Sequence, residues 1–163
     1  MDLIPKRRVL AAVSVIALAI AACSPGTASP SPAPASPSAA GGNGTTVQVT
    51  LQEWAVVPTS DSAPAGSVSF QVTNTGPEDV HEFVVLKTDL DPGALPVDEN
   101  GAVTEAGAGI EVVDEIEDVA VGGTPELTVT LAAGKYVLLC NVYDETEKEA
   151  HYKMGMRIGF TAE

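Results

Sequence analysis

The sequence predicts an all-β fold, a Greek-key β-sandwich of about seven to eight strands spanning residues 45–163 of a 163-residue chain. Three observations carry this expectation. Apolar residues recur with a period of two rather than 3.6. Clusters of Pro, Gly, Asn and Asp punctuate the runs at short intervals. Two further runs are continuously apolar, as strands covered on both faces are.

Taken in order, Val47, Val49 and Leu51 alternate with Gln48, Thr50 and Gln52. After the break at Ala63-Pro64-Ala65-Gly66, Val68, Phe70 and Val72 alternate with Ser69, Gln71 and Thr73. A turn at Asn74-Thr75-Gly76-Pro77 leads to the strand opened by His81, whose Phe83 to Leu86 are continuously apolar. Leu127, Val129 and Leu131 alternate with Thr128 and Thr130, Tyr136 to Cys140 form the second continuous run, and Met156 to Thr161 supply a last strand. The alternating segments read as half-buried antiparallel strands. One stretch breaks the rhythm: Asp89 to Asp118 holds ten acids and no base, with Pro92, Pro96 and four glycines. It is expected to leave the sandwich as a long excursion, with one short helical turn around Val112 to Ile116. A charge run of this kind is a solvated face, and the regular acidic spacing of a calcium loop is absent, so no site is assigned to it.

Composition narrows the function. Eight Lys+Arg against 22 Asp+Glu give a net charge of -14, which excludes a nucleic-acid ligand, since a phosphate backbone needs a basic surface. Apolar residues make up 45% of the chain, so a core is available, and a 119-residue domain buries roughly 65% of its unfolded surface. Only two Cys and two His are present, so any site built from these residue types has no spares.

Residues 1–22 read as an export signal. Lys6, Arg7 and Arg8 precede an apolar stretch from Val9 to Ala22, which is shorter than the roughly 20 residues that span a bilayer. The stretch ends Ile20-Ala21-Ala22-Cys23, which resembles a bacterial lipoprotein lipobox. The resemblance implies cleavage before Cys23 and acylation of its thiol; the alternative is a plain secretory signal with an incidental cysteine. Residues 23–44 then form a disordered tether, with five Pro and no charge in a background of Ser, Ala and Gly. Extended, it would reach on the order of 60 Å. Losing the signal removes Asp2, Lys6, Arg7 and Arg8, leaving 21 acids against 5 bases, a net -16.

The chemistry sits at the end of the chain. Cys140 closes an apolar run, and His151 follows after ten intervening residues. With Cys23 acylated, Cys140 has no partner for an intramolecular disulfide, so it is buried, intermolecular or metal-bound. Two imidazoles, a thiolate and a distant thioether are the ligand set of a blue-copper electron-transfer site. His81, Cys140, His151 and Met156 offer those four groups.

Here the sequence resembles the cupredoxins, the plastocyanin- and azurin-like copper proteins. His151-Tyr152-Lys153-Met154-Gly155-Met156 is similar to the His-Tyr-x-x-Gly-Met ending of bacterial members, and Cys140-Asn141 after an apolar strand fits the same group. The resemblance covers residues 45–163. It implies a single mononuclear type 1 copper held by His81, Cys140 and His151, with Met156 as a weak axial contact, and His151 as the ligand nearest solvent. Three departures stand out. The loop between Cys140 and His151 has ten residues where the family has about two to four, an excess that costs only roughly 0.8 kcal/mol in closure entropy. Its Asp144, Glu145, Glu147 and Glu149 are placed to fold over the site. Glu82 follows the first histidine where the family often has Asn. Met154 competes with Met156 for the axial place, although spacing and strand parity with Ile158 and Phe160 favour Met156.

The function expected is that of an electron carrier, extracytoplasmic and held to a bacterial membrane through a lipid anchor only. It would act as a monomer, shuttling electrons between redox proteins with basic docking patches. The alternatives are a copper-binding lipoprotein that buffers or delivers the metal, and a metal-free sandwich serving as a binding module. An enzyme is not expected: two histidines are too few for a multicopper oxidase, and a dinuclear copper centre needs a second cysteine near Cys140.

Overall fold

The computed structural model describes residues 44–163. The expectations for the signal, for the tether and for Cys23 fall on residues outside that range. In chain order the elements are β1 (Thr45–Gln52), β2 (Ala55–Pro58), β3 (Ser62–Ala63), β4 (Gly66–Asn74), β5 (His81–Lys87) and β6 (Glu111–Val119). They continue with β7 (Glu126–Leu131), β8 (Gly134–Leu139), β9 (Tyr143–Asp144), β10 (Glu149–Ala150), α1 (His151–Met154) and β11 (Arg157–Ala162). The strands make a four-stranded sheet of order β2-β1-β4-β7, a five-stranded sheet of order β3-β11-β8-β5-β6, and a small β9–β10 hairpin. This is the expected β-sandwich.

Period-two alternation builds the inner faces. Val47, Val49 and Leu51 of β1, Val68, Phe70 and Val72 of β4 and Leu127, Val129 and Leu131 of β7 all enter one core cluster. Phe83 and Val85 of β5, and Tyr136 and Leu138 of β8, meet them from the other sheet. The residues between, Val84, Leu86, Val137 and Leu139, point the other way into a second cluster with Leu95, Val103 and Tyr152. That outer cluster lies under the acidic excursion, which explains why β5 and β8 are apolar on both faces. At the centre of the main core the Phe70 ring lies 5.4 Å from Phe83, tilted against it, and 5.6 Å from Phe160, edge to face.

Three details differ from the sequence reading. First, eleven strands are present among the described residues; β2, β3, β9 and β10 are two to four residues long and leave no periodic signature. Second, Val112 to Ile116 is no helical turn but the middle of β6, paired antiparallel with β5 through Phe83↔Ile116 and Leu86↔Val112. Its Val112, Val113 and Ile116 pack against the two cores while the acids stay on an edge strand, where charge blocks pairing with other chains. Third, β1 and β4 pair parallel, in register from Thr45↔Val68 to Leu51↔Asn74. Parallel neighbours need a crossover, and the connection through β2 and β3 provides it by leaving for the opposite sheet, where β3 pairs with β11.

Candidate metal centre

Strand parity brings the candidate ligands to one end of the sandwich. His81 is the first residue of β5 and shares the inward parity of Phe83 and Val85; Cys140, one residue past β8, shares that of Tyr136 and Leu138. A ring of backbone hydrogen bonds then closes the ligand loop. Cys140 N–H donates to Met156 C=O at 3.0 Å, Met156 N–H to His151 C=O at 3.1 Å, and His151 N–H to Val142 C=O at 2.9 Å. The ten-residue loop turns on Asp144, whose carboxylate accepts the N–H groups of Thr146 and Glu147, and its arms pair as β9 and β10.

His81, Cys140 and His151 come together as one buried group of metal-ligating type. The two Nδ1 atoms face each other at 3.1 Å, and Cys140 Sγ lies 3.4 Å from His151 Nδ1 and 3.9 Å from His81 Nδ1. A circle through these three atoms has a radius of about 2.0 Å, close to the roughly 2.0–2.3 Å of metal bonds to imidazole nitrogen and thiolate sulfur. The donor triangle therefore has the size a metal ion requires, without rearrangement. Met156 is fully buried in the same core cluster as Cys140, whereas Met154 is 42% exposed.

Electrostatics points the same way. Burial holds both imidazoles below their usual range, reinforced at His81 by its neighbour His151, so both are neutral donors at pH 7. Burial also pushes the Cys140 thiol up to about 12, against the opposing N–H groups of Glu82 and Val142. A thiolate in this position needs a cation in place of its proton. The Glu82 N–H, 3.3 Å from Sγ, is positioned to stabilise that sulfur and comes from the backbone. The side chain of Glu82 is thus free to differ from Asn.

Several further residues support the site through partners that the sequence did not reveal. Asn74 is completely buried; its Nδ2 donates to the carbonyls of Asp79 and Val119 at 2.8 Å each, and its Oδ1 accepts the Gly76 N–H. It fixes the connection that delivers His81. Asn141 Oδ1 accepts the Val103 N–H at 2.6 Å and its Nδ2 donates to the carbonyl of Val103 and the carboxylate of Glu105. Tyr152 Oη accepts the Leu95 N–H and donates to the Pro92 carbonyl. The excursion is in this way tied to the residues following Cys140 and His151. Trp54 packs its ring against His151, with centroids 5.1 Å apart.

Solvent comes near the cluster on one side. His151 is 2% exposed and borders a surface depression of about 460 Å³ lined also by Glu78, Asp79, Val80, Val142, Tyr143, Asp144 and Glu145. His81 is fully enclosed.

No protein-family model matches the chain, and no curated protein matches it. Solved structures do. An auracyanin from the photosynthetic bacterium Roseiflexus castenholzii aligns with a TM-score of 0.52 at 23% identity, over 73% of this chain and 97% of that one. Auracyanin B aligns with a TM-score of 0.51 at 22% identity, over 73% and 88%. A rusticyanin aligns with a TM-score of 0.50 at 19% identity, over 76% and 79%. The chain thus has the fold of the blue copper cupredoxins, with a buried His–Cys–His cluster and Met156 at one end of its sandwich.

Proposed function

We propose that the protein is a type 1 copper electron carrier, with His81, Cys140 and His151 as equatorial ligands of one copper ion and Met156 as a weak axial contact. The observation that carries this reading is the triangle of two Nδ1 atoms and one Sγ, buried, neutral and of metal-binding size. A bound copper ion would supply one-electron chemistry by alternating between Cu(II) and Cu(I). The chain's own part is to hold the donors still. Imidazole suits the oxidised ion and sulfur the reduced one, and a pocket packed between two sheets imposes the same arrangement on both.

The same geometry favours a carrier over a copper-delivery protein. All four side chains are buried, and the loop that would have to open is closed by its own hairpin and by the Asn141–Val103 and Tyr152–Leu95 hydrogen bonds. No catalytic constellation is proposed, and the protein is read as a carrier rather than an enzyme. Electrons would pass through the edge of His151 at the acidic depression, where Glu78, Asp79, Asp144 and Glu145 surround Val80 and Val142. A redox partner with a basic docking patch fits that face, and its association rate would fall as salt rises. The lipobox-like ending at Cys23 supports an extracytoplasmic, lipid-anchored location.

Adding Cu(II) to the purified protein tests the central claim. The expected result is one copper per chain with an intense thiolate-to-copper absorption that disappears in Cys140→Ser. A protein that stays colourless with its thiol still reactive overturns it.

A further inference from the structure

We propose that Glu53 is the carboxylate partner of His81 and biases the bound metal toward its oxidised state. This rests on the copper reading and extends it to a residue outside the ligand set.

The turn between β1 and β2 carries Glu53 under the far side of the His81 ring. There His81 Nε2 is buried without a hydrogen-bond partner, and 3.8 Å away stands Glu53 Oε1. The second carboxylate oxygen, Oε2, is likewise buried and unpartnered. The two side chains are 0% and 12% exposed. Glu53 is held in place from behind, since its Oε1 accepts the Glu78 N–H at 3.1 Å and the Asp79 N–H at 2.9 Å. Those two residues belong to the connection that delivers His81, so the carboxylate is hydrogen-bonded to the same short segment that carries the ring.

A latent donor facing a latent acceptor inside a protein calls for an explanation, because an unmade buried hydrogen bond is costly. The tautomer of His81 provides one. The Nδ1 atoms of His81 and His151 stand 3.1 Å apart, and which nitrogen of each ring carries the proton depends on its tautomer. Once Nδ1 binds a metal, the neutral ring must carry its proton on Nε2, which then points at an anion. Closing 3.8 Å to a hydrogen bond of about 3.2 Å or less needs a shift of only about half an ångström. Metal-bound imidazoles regularly donate their second N–H to a carboxylate, which raises ligand basicity. Cu(II) gains more than Cu(I) from that, and from a nearby negative charge. The two backbone N–H groups that Oε1 accepts favour the ionised carboxylate such a bond needs.

The test uses the full chain and its Glu53→Gln variant, which keeps an oxygen for the Glu78 and Asp79 N–H groups but removes the charge. In the Cu(I)-loaded wild type, nitrogen–proton NMR should show a His81 Nε2–H signal that is shifted and slow to exchange. In Glu53→Gln that signal should weaken, and the ratio of Cu(II) to Cu(I) affinity should drop about tenfold, a rise of about 59 mV in potential for one electron. A blue wild type lacking the Nε2–H signal overturns the proposal without any variant. So does a blue Glu53→Gln protein with unchanged signal and potential. A wild type that binds no copper overturns the carrier reading, and this proposal with it.

Discussion

Gly155 is where the ligand loop re-enters the sandwich, and replacing it with alanine separates two physical effects. Its φ is +132°, a conformation that side chains disfavour, and an added Cβ would sit 2.9 Å from the carbonyl oxygen of Trp54. Gly66, at the start of β4, provides the control: its φ is +131°, and an added Cβ meets nothing within 4 Å. Both substitutions carry backbone strain of about 1–3 kcal/mol, reduced by about 0.4–1 kcal/mol through the lower entropy of the unfolded chain. Gly66→Ala is therefore expected to cost about 1–2 kcal/mol. Gly155→Ala adds the clash. Relieving it needs a movement of about half an ångström, and the obstacle is backbone, so overpacking should add about 1–3 kcal/mol.

The two variants should also differ at the metal. Gly155 N–H donates to the carbonyls of His151 and Tyr152, and Met156 follows directly. A shift at Gly155 moves two of the four proposed ligands, so Gly155→Ala should change the visible spectrum of the copper-loaded protein while Gly66→Ala leaves it unaltered. Denaturant unfolding of both apo-proteins, with spectra of both loaded forms, makes the comparison. Equal losses of stability and identical spectra would refute the reasoning, because they would mean that contact with the Trp54 carbonyl does not constrain the loop.

Two further predictions rest on burial. Met156→Leu should alter the spectrum and shift the potential of the loaded protein, whereas Met154→Leu, at a position 42% exposed, should leave both unchanged; visible spectroscopy and voltammetry decide. Glu115 on β6 has its carboxyl raised above the usual range by burial and by Glu105, Glu117 and Asp114, and one of its oxygens is buried without a partner. The folded state therefore keeps a proton that the unfolded chain gives up, and stability falls as pH climbs from the ordinary carboxylate range through the raised value. Glu115→Gln should stabilise the apo-protein at pH 7.5 by about 0.5–1 kcal/mol and leave it nearly unaffected at pH 4, which thermal melts at the two values will show.

What the sequence made legible follows from scarcity and from length. Cys140, His81 and His151 were conspicuous because the folded part contains no other Cys or His, and the long alternating strands announced themselves by period. β6 stayed hidden because its apolar residues are interleaved with acids in no strict alternation, giving the burial pattern of an irregular edge strand with register shifts against β5. The parallel pairing of β1 and β4 was equally invisible, since alternation reports which face is buried and says nothing of direction. Glu53 and Asn74, and the partners of Asn141 and Tyr152 within the motif at the end of the chain, were beyond reach for another reason. Each of these residues acts through partners fixed by tertiary structure, such as Glu53 on Asp79, or Tyr152 on Pro92 sixty residues away. No local pattern encodes such pairs.

The two unusual features of the chain, a long ligand loop and a long acidic excursion, account for each other. A loop of ten residues between two ligands would by itself leave the donor triangle free to deform. The excursion has the complementary difficulty: it crosses the outer face of β5 and β8, where its backbone needs partners. Asn141 satisfies both the N–H and the C=O of Val103, and Tyr152 satisfies the Leu95 N–H and the Pro92 C=O. These two residues sit immediately after Cys140 and His151, so the same hydrogen bonds that anchor the excursion also immobilise the neighbours of two proposed ligands. Leu95 and Val103 then add apolar contact with Tyr152 in the outer cluster. The rigidity that a short ligand loop gains from its length is obtained here from packing. The acids that made the excursion look like mere solvated surface lie on a segment that holds the site in shape.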